Sequence, residues 1–139
     1  LWMLATGTAL GVFLAILKTS IPWKRFKKII LIHSVRYAEE LIYQDLIAEM
    51  KQRYPDQFIY LNSVTRSKVK GSFNFRIPDG LSSKKFQESA QIEINEGSQF
   101  MVCGNPEMIK ETTEVLKGFG LNKNRRAKPG NITVERYWV

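Results

Sequence analysis

The sequence predicts a doubly wound α/β domain, a mainly parallel five-stranded sheet with helices on both faces. Three observations point there. Runs such as Ile29-Ile30-Leu31-Ile32 are apolar at successive positions, which suits strands covered on both sides. Stretches between them space their apolar residues three and four apart, as covering helices do. Small residues stand at the strand-to-helix joints, in Thr6-Gly7-Thr8 and in Gly104-Asn105-Pro106. Regular strand–helix alternation implies parallel pairing through right-handed crossovers.

The elements follow in order. Trp2-Met3-Leu4-Ala5 reads as a strand that ends at Thr6-Gly7-Thr8, and Leu10 to Lys18 has helical length. Thr19 to Trp23 reads as a loop, and Ile29 to Ile32 as a central strand. From Ala38 to Tyr54 the apolar positions Ala38, Leu41, Ile42, Leu46, Ile47 and Met50 share one helical face, with Pro55 as the stop. Phe58 to Leu61 is the third strand. The basic, glycine-containing stretch that follows reads as loop with a short helix around Ser83 to Glu88. Gln99 to Cys103 is the fourth strand, and Pro106 starts an amphipathic helix that Gly118 and Gly120 end. A basic loop from Lys123 to Gly130 leads to the alternating final strand Ile132 to Tyr137.

With 139 residues, 44% hydrophobic content and no internal repeat, one domain spanning 1–139 is expected. The chain begins at Leu1 inside an apolar run without a methionine, so a further domain is expected upstream. The uncharged stretch Leu1 to Leu17 is shorter than the ~20 apolar residues of a membrane span, and Thr6-Gly7-Thr8 punctuates it, so no membrane insertion is expected. A single cysteine rules out an internal disulfide and suits a reducing cytoplasmic compartment. There is no metal-ligand spacing, nucleophile elbow or catalytic triad. Lys and Arg number 21 against 13 Asp and Glu, a net charge of +8 that calls for an anionic partner without choosing one.

Chemistry narrows that choice. Glycine at Thr6-Gly7-Thr8 lets the backbone approach a ligand closely, and the N–H groups opening the next helix carry partial positive charge suited to a diphosphate. Gly104-Asn105-Pro106 repeats the device at the carboxyl edge of the sheet, where open α/β folds bind ligands. Small residues at such joints also serve plain packing. Arg36, Arg66 and Arg76 follow the second strand, the third strand and the loop beyond; guanidinium forks match phosphate oxygens, and no acidic residue directly follows strand two to hold an unphosphorylated ribose. That pattern favours NADP over NAD. Cys103, at a strand end, reads either as a neutral thiol pressed on a nicotinamide ring or as a small buried hydrophobe. His33 reads as a core or edge residue rather than a base. Tyr137 and Trp138 are flat rings beside a terminus, suited to stacking on a flavin or its adenine.

Taken in order, Thr6-Gly7-Thr8-Ala9, Val35-Arg36-Tyr37-Ala38, Thr65-Arg66, Arg76-Ile77-Pro78, Cys103-Gly104-Asn105-Pro106 and the run from Lys128 to Trp138 resemble the NADP-binding half of bacterial ferredoxin (flavodoxin) NADP reductases. The resemblance covers nearly the whole chain. It implies an FAD-binding barrel domain upstream, NADP and FAD as cofactors, ferredoxin or flavodoxin as partner, and a monomer. Position by position, it implies that Thr6 meets the flavin near the nicotinamide, that Arg36, Arg66 and Arg76 surround the adenosine 2′-phosphate, and that Val35 and Thr65 are cofactor-binding positions. It makes Gly7, Thr8, Gly104, Asn105, Pro106, Glu107 and Glu111 part of the nucleotide lining. Cys103 and Glu135 match polar positions at the hydride-transfer centre, and Tyr137 and Trp138 match aromatics that cover the flavin. Val12 departs from the proline common in that family, and Val139 extends past the terminal aromatics.

Two other readings share parts of this pattern. A flavin reductase serving another acceptor would use the same domain. A basic module binding nucleic acid would use Lys24, Arg25, Lys27 and Lys28 with Lys123, Arg125, Arg126 and Lys128, although those runs lack interleaved aromatics.

Overall fold

Successive residues of a strand point to opposite faces, so an unbroken apolar run must be covered twice. The computed structural model, which describes residues 1–136, bears this out in β1 (Trp2–Thr6) and β2 (Ile29–Val35), where all seven residues of β2 are buried. With β3 (Phe58–Val64), β4 (Phe100–Gly104) and β5 (Ile132–Arg136) they form one parallel sheet in the order β3-β2-β1-β4-β5. The chain winds outward from β1 to β3, then crosses back to place β4 on the other side of β1. That reversal opens a crevice at the carboxyl ends of β1 and β4.

The two faces carry separate cores. On one, Met3, Ala5, Leu31 and Cys103 pack beneath α1 (Leu10–Leu17) and α3 (Gln44–Arg53) through Phe13, Leu14, Ile47 and Met50. On the other, Trp2, Leu4, Ile32 and Val102 pack beneath α4 (Ile77–Ser82), α5 (Lys85–Ala90) and α6 (Pro106–Gly118) through Leu81, Phe86, Ile109 and Leu116. Trp2 stacks on Phe100 with ring centroids 5.7 Å apart.

Three local expectations are corrected. The stretch from Ala38 to Tyr54 is not one helix. Glu40 accepts the Tyr37 N–H at 2.9 Å and closes a single 3-10 turn, Ala38–Glu40; Tyr43 then turns left-handed at φ 61°, and α3 starts only at Gln44. Leu41 and Ile42 therefore sit in a connector. The expected loop at Thr19 to Trp23 instead runs into α2 (Ile21–Arg25), because Pro22 stands in the first turn, where a missing N–H leaves no bond unmade. Trp23 fixes that helix, donating to the Leu17 carbonyl at 2.8 Å and stacking on Tyr54 at 3.7 Å. By the same first-turn rule Pro78 opens α4, within a stretch read from sequence as loop.

Candidate functional site

The site is built where β1 and β4 lie side by side. Gly104 leaves β4 at φ 138°, and a Cβ there would fall 2.0 Å from Thr6 Oγ1. This close approach lets the Thr6 hydroxyl accept the Asn105 N–H at 2.9 Å, joining two turns 99 residues apart. Asn105 caps α6: its Oδ1 accepts the Glu107 N–H at 2.8 Å and the Met108 N–H at 3.4 Å. On the β1 side, Gly7 takes φ 55° to enter a 3-10 turn, Gly7–Ala9, which runs into α1. A Cβ on Gly7 would meet nothing within 4 Å, so its backbone faces open space.

The ladder between β2 and β3 continues beyond both strands. Thr65 N–H donates to Val35 O, and Arg66 N–H donates to Arg36 O, each at 2.9 Å. Arg36 and Arg66 therefore leave neighbouring strands side by side, one residue apart in register. The following loop folds back: Val64 N–H donates to Phe73 O, and the Asn74 side chain donates to Val64 O at 3.0 Å and Ser67 O at 3.2 Å. Ser63 Oγ bonds the Phe75 carbonyl, which delivers Arg76 to the start of α4. There the Arg76 guanidinium grips Glu111 of α6 with both nitrogens, at 2.9 and 3.3 Å. Neither Arg36 nor Arg66 has an ion-pair partner among the described residues.

One cleft of about 830 Å³ gathers these groups. Thr6, Gly7, Val35, Arg36, Thr65, Arg66, Arg76, Asn105 and Glu107 all line it. Three guanidinium groups and two turns thus face a common space, as an anionic dinucleotide requires. Sequence reasoning missed several of its other walls, including Ser34, Glu40, Asn74, Phe75 and Asp79. Only their nearness to the arginines along the chain could have signalled them.

The remaining expected site residues stand elsewhere. Thr8 is exposed on the turn, and Gly104 is buried beneath Thr6. Pro106 lines a separate groove beside α6, which Glu107 also borders. Glu111 reaches the site through its grip on Arg76. Cys103 is fully buried on the α1 face of the sheet and outside the cleft lining; burial, then the nearby Glu135 carboxylate, raises its thiol pKa and keeps it neutral. Glu135 is exposed on β5, paired in register with Cys103. Tyr137 and Trp138 lie outside the described residues. Among the described residues no group of three or more His, Cys, Asp or Glu could hold a metal ion, and no helix is long and apolar enough to cross a membrane.

Both basic runs precede strands, Lys24 to Lys28 before β2 and Lys123 to Lys128 before β5. In a parallel sheet they therefore enter from the amino-terminal edge, opposite the turns that build the cleft.

Known proteins with this architecture agree with the geometry. The flavodoxin/ferredoxin–NADP reductase of Escherichia coli (strain K12) is 39% identical over 140 residues, covering 99% of this chain and 56% of the relative. The ferredoxin–NADP reductase of Azotobacter vinelandii is 36% identical over 149 residues, covering all of this chain and 57% of the relative. The chain thus spans a little more than half the length of these curated relatives. A crystal structure of a ferredoxin NADP+ reductase from Neisseria gonorrhoeae with bound FAD and NADP superposes with a TM-score of 0.91 at 33% identity, over 99% of this chain and 55% of that one. Residues 3–114, which hold β1 through most of α6 and every residue found lining the cleft, match the family model described as oxidoreductase NAD-binding domain, and the chain belongs to that family.

Proposed function

We propose that this chain is the NADP-binding part of a flavin-dependent ferredoxin or flavodoxin NADP reductase of the cytoplasm, with an FAD-binding domain elsewhere in the whole protein. The observation that carries the reading is the convergence of Arg36, Arg66 and Arg76 with the Thr6-Gly7 and Asn105 turns on one cleft. Phosphate oxygens accept paired N–H donors from guanidinium, and Arg36 and Arg66, without an ion-pair partner among the described residues, are the side chains this reading gives to a 2′-phosphate. The names of the curated relatives support the same assignment.

Within this reading each residue has a physical task. Arg36 and Arg66 select the phosphorylated ribose, and Arg76 closes the cleft from the α4 side. Gly7 brings the first turn close to the diphosphate. Thr6 already accepts from Asn105, so its own hydroxyl proton is left to donate to a ring edge at the nicotinamide end. Flavin, when bound, supplies the hydride chemistry and the one-electron exchange with a protein carrier. The polar groups of this chain fit such a neighbour through the Thr6 hydroxyl, which can donate, and the exposed Glu135 carboxylate, which can accept. Cys103, neutral and covered, is assigned a contact at the nicotinamide end that requires its cover to part.

Calorimetry with 2′-phospho-AMP beside AMP tests the reading. A clear preference for 2′-phospho-AMP is expected. Equal affinity for the two nucleotides would remove the assignment of the arginines, and strongly salt-dependent binding to generic DNA would favour the nucleic-acid reading instead.

A further inference from the structure

His33 lies toward the carboxyl end of β2, fully buried between β1 and β3 in register with Ala5 and Asn62. Its Nε2 is 2.8 Å from the carbonyl oxygen of Gly7, and its Nδ1 has no hydrogen-bond partner among the described residues. A carbonyl only accepts, so Nε2 must carry the proton. Protonating Nδ1 as well would bury a second N–H with nothing to receive it, so the imidazole is neutral.

We propose that His33 is a positioning residue for the nucleotide site, acting through the Gly7–Thr8 peptide. The C=O and N–H of a trans peptide point in opposite directions. Holding the Gly7 oxygen inward against His33 therefore turns the Thr8 N–H outward, away from the sheet. Thr8 is the second residue of the turn that opens α1, where backbone N–H groups lack partners within the helix. Gly7 lines the cleft and sits at φ 55°, a conformation in which glycine moves freely unless something holds it. His33 is that restraint, and it explains a buried histidine that the arginines and turns leave without a task. Thr8 then contributes to the site through its backbone while its side chain stays outside. The inference rests on the nucleotide-binding reading for its ligand, but the restraint itself is a property of the free protein.

Two variants of similar polarity separate the possibilities. The Gln amide in His33→Gln places a donor near the position of Nε2, whereas the shorter Asn amide in His33→Asn falls short of it. His33→Asn is expected to weaken NADP by about tenfold and 2′-phospho-AMP by less than about twofold, with His33→Gln restoring NADP binding to within about threefold of the parent. Equal binding of NADP by the parent and His33→Asn would overturn the proposal. So would equal losses for both nucleotides, or no rescue by Gln. Without nucleotide, imidazole nitrogen NMR of the parent is expected to report the neutral Nε2–H form, and the Thr8 amide resonance is expected to move in His33→Asn but not in His33→Gln. A protonated ring or an unmoved Thr8 amide overturns the restraint. Failure of the parent to prefer 2′-phospho-AMP over AMP counts against the functional reading instead.

Discussion

Arg76 at the start of α4 and Glu111 in the second turn of α6 meet fork to fork, so one of the three cleft arginines is already half committed before any ligand arrives. Both side chains are well exposed, at 49% and 37%, and an ion pair in water adds at most about 1 kcal/mol to stability. Its larger effect is on binding, since Glu111 neutralises charge that a phosphate would use. Glu111→Gln is expected to leave the thermal midpoint nearly unchanged and to tighten 2′-phospho-AMP by about threefold, measured by calorimetry. Weaker binding would mean that the intact pair, rather than a freed Arg76, is what the nucleotide needs.

In the proposed reading, Arg36 and Arg66, which have no ion-pair partner among the described residues, carry the selectivity. Arg66 N–H donates to Arg36 O at 2.9 Å, so the extended ladder fixes their backbones side by side and leaves both guanidinium groups to the ligand. Loss of one charge-assisted contact removes about 1.5–3 kcal/mol of binding, or roughly 10- to 150-fold in affinity. Arg36→Ala and Arg66→Ala should each weaken NADP by such a factor while changing NAD little. Parallel titrations of both nucleotides check this, and equal losses would reassign these side chains to general steering.

Much of this arrangement was legible because burial leaves a plain mark on sequence. Ile29 to Ile32 had to be covered on both faces, and the glycine joints after β1 and β4 had to lie at one sheet edge once the strands were parallel. The positions of Arg36, Arg66 and Arg76 past successive strand ends then pointed to one cleft. Other features leave no such mark. Apolar spacing runs on through Leu41 and Ile42 although Tyr43 turns left-handed, since periodicity carries no record of a local side-chain grip such as that of Glu40 on the Tyr37 N–H. Pairing between Arg76 and Glu111 spans 35 residues and depends on how α4 and α6 cross. Cys103 lies on the face of β4 that α1 covers, and the successive apolar positions Phe100 to Val102 did not show which face its side chain would take.

Gly104 ties stability to the site. At φ 138° a side chain is strained wherever it points, and here its Cβ would also meet Thr6 Oγ1 at 2.0 Å and Thr6 N at 3.1 Å. Gly104→Ala is expected to destabilise the fold by at least about 2 kcal/mol in denaturant unfolding. Thr6→Ala alone loses the acceptor for the Asn105 N–H, at about 1 kcal/mol. Combined, the two changes should destabilise by less than their sum, because removing the hydroxyl relieves the shorter clash. Simple additivity would show that the backbone angle dominates.

Cys103 offers a probe of the α1 face. Its thiol is fully buried and its pKa is raised by burial and by Glu135, so little reactive thiolate is present or accessible near neutral pH. Alkylation by iodoacetamide, followed by mass spectrometry, should be slow in the folded protein and fast in denaturant. Rapid labelling without denaturant would mean that the cover over β4 opens readily.

His33 links pH to stability with a defined sign. Burial lowers its pKa below the ordinary 6.5, outweighing the bond to Gly7 and the attraction of Glu40, which both act upward. Below 6.5 the unfolded chain therefore binds a proton that the folded protein resists, so stability falls as pH drops from 6.5 toward the depressed folded value. The contribution is fully present above 6.5, where both states hold a neutral ring. Carboxylates titrate further down the scale, so the comparison that isolates the ring is parent against His33→Gln, followed by urea unfolding from about pH 8 to about pH 5. The parent should lose stability more steeply than the variant across the lower half of that range, by at most about 1.4 kcal/mol per pH unit for one proton. Identical slopes would mean that the buried imidazole accepts a second proton without disturbance, and that the bare Nδ1 finds an acceptor when it does.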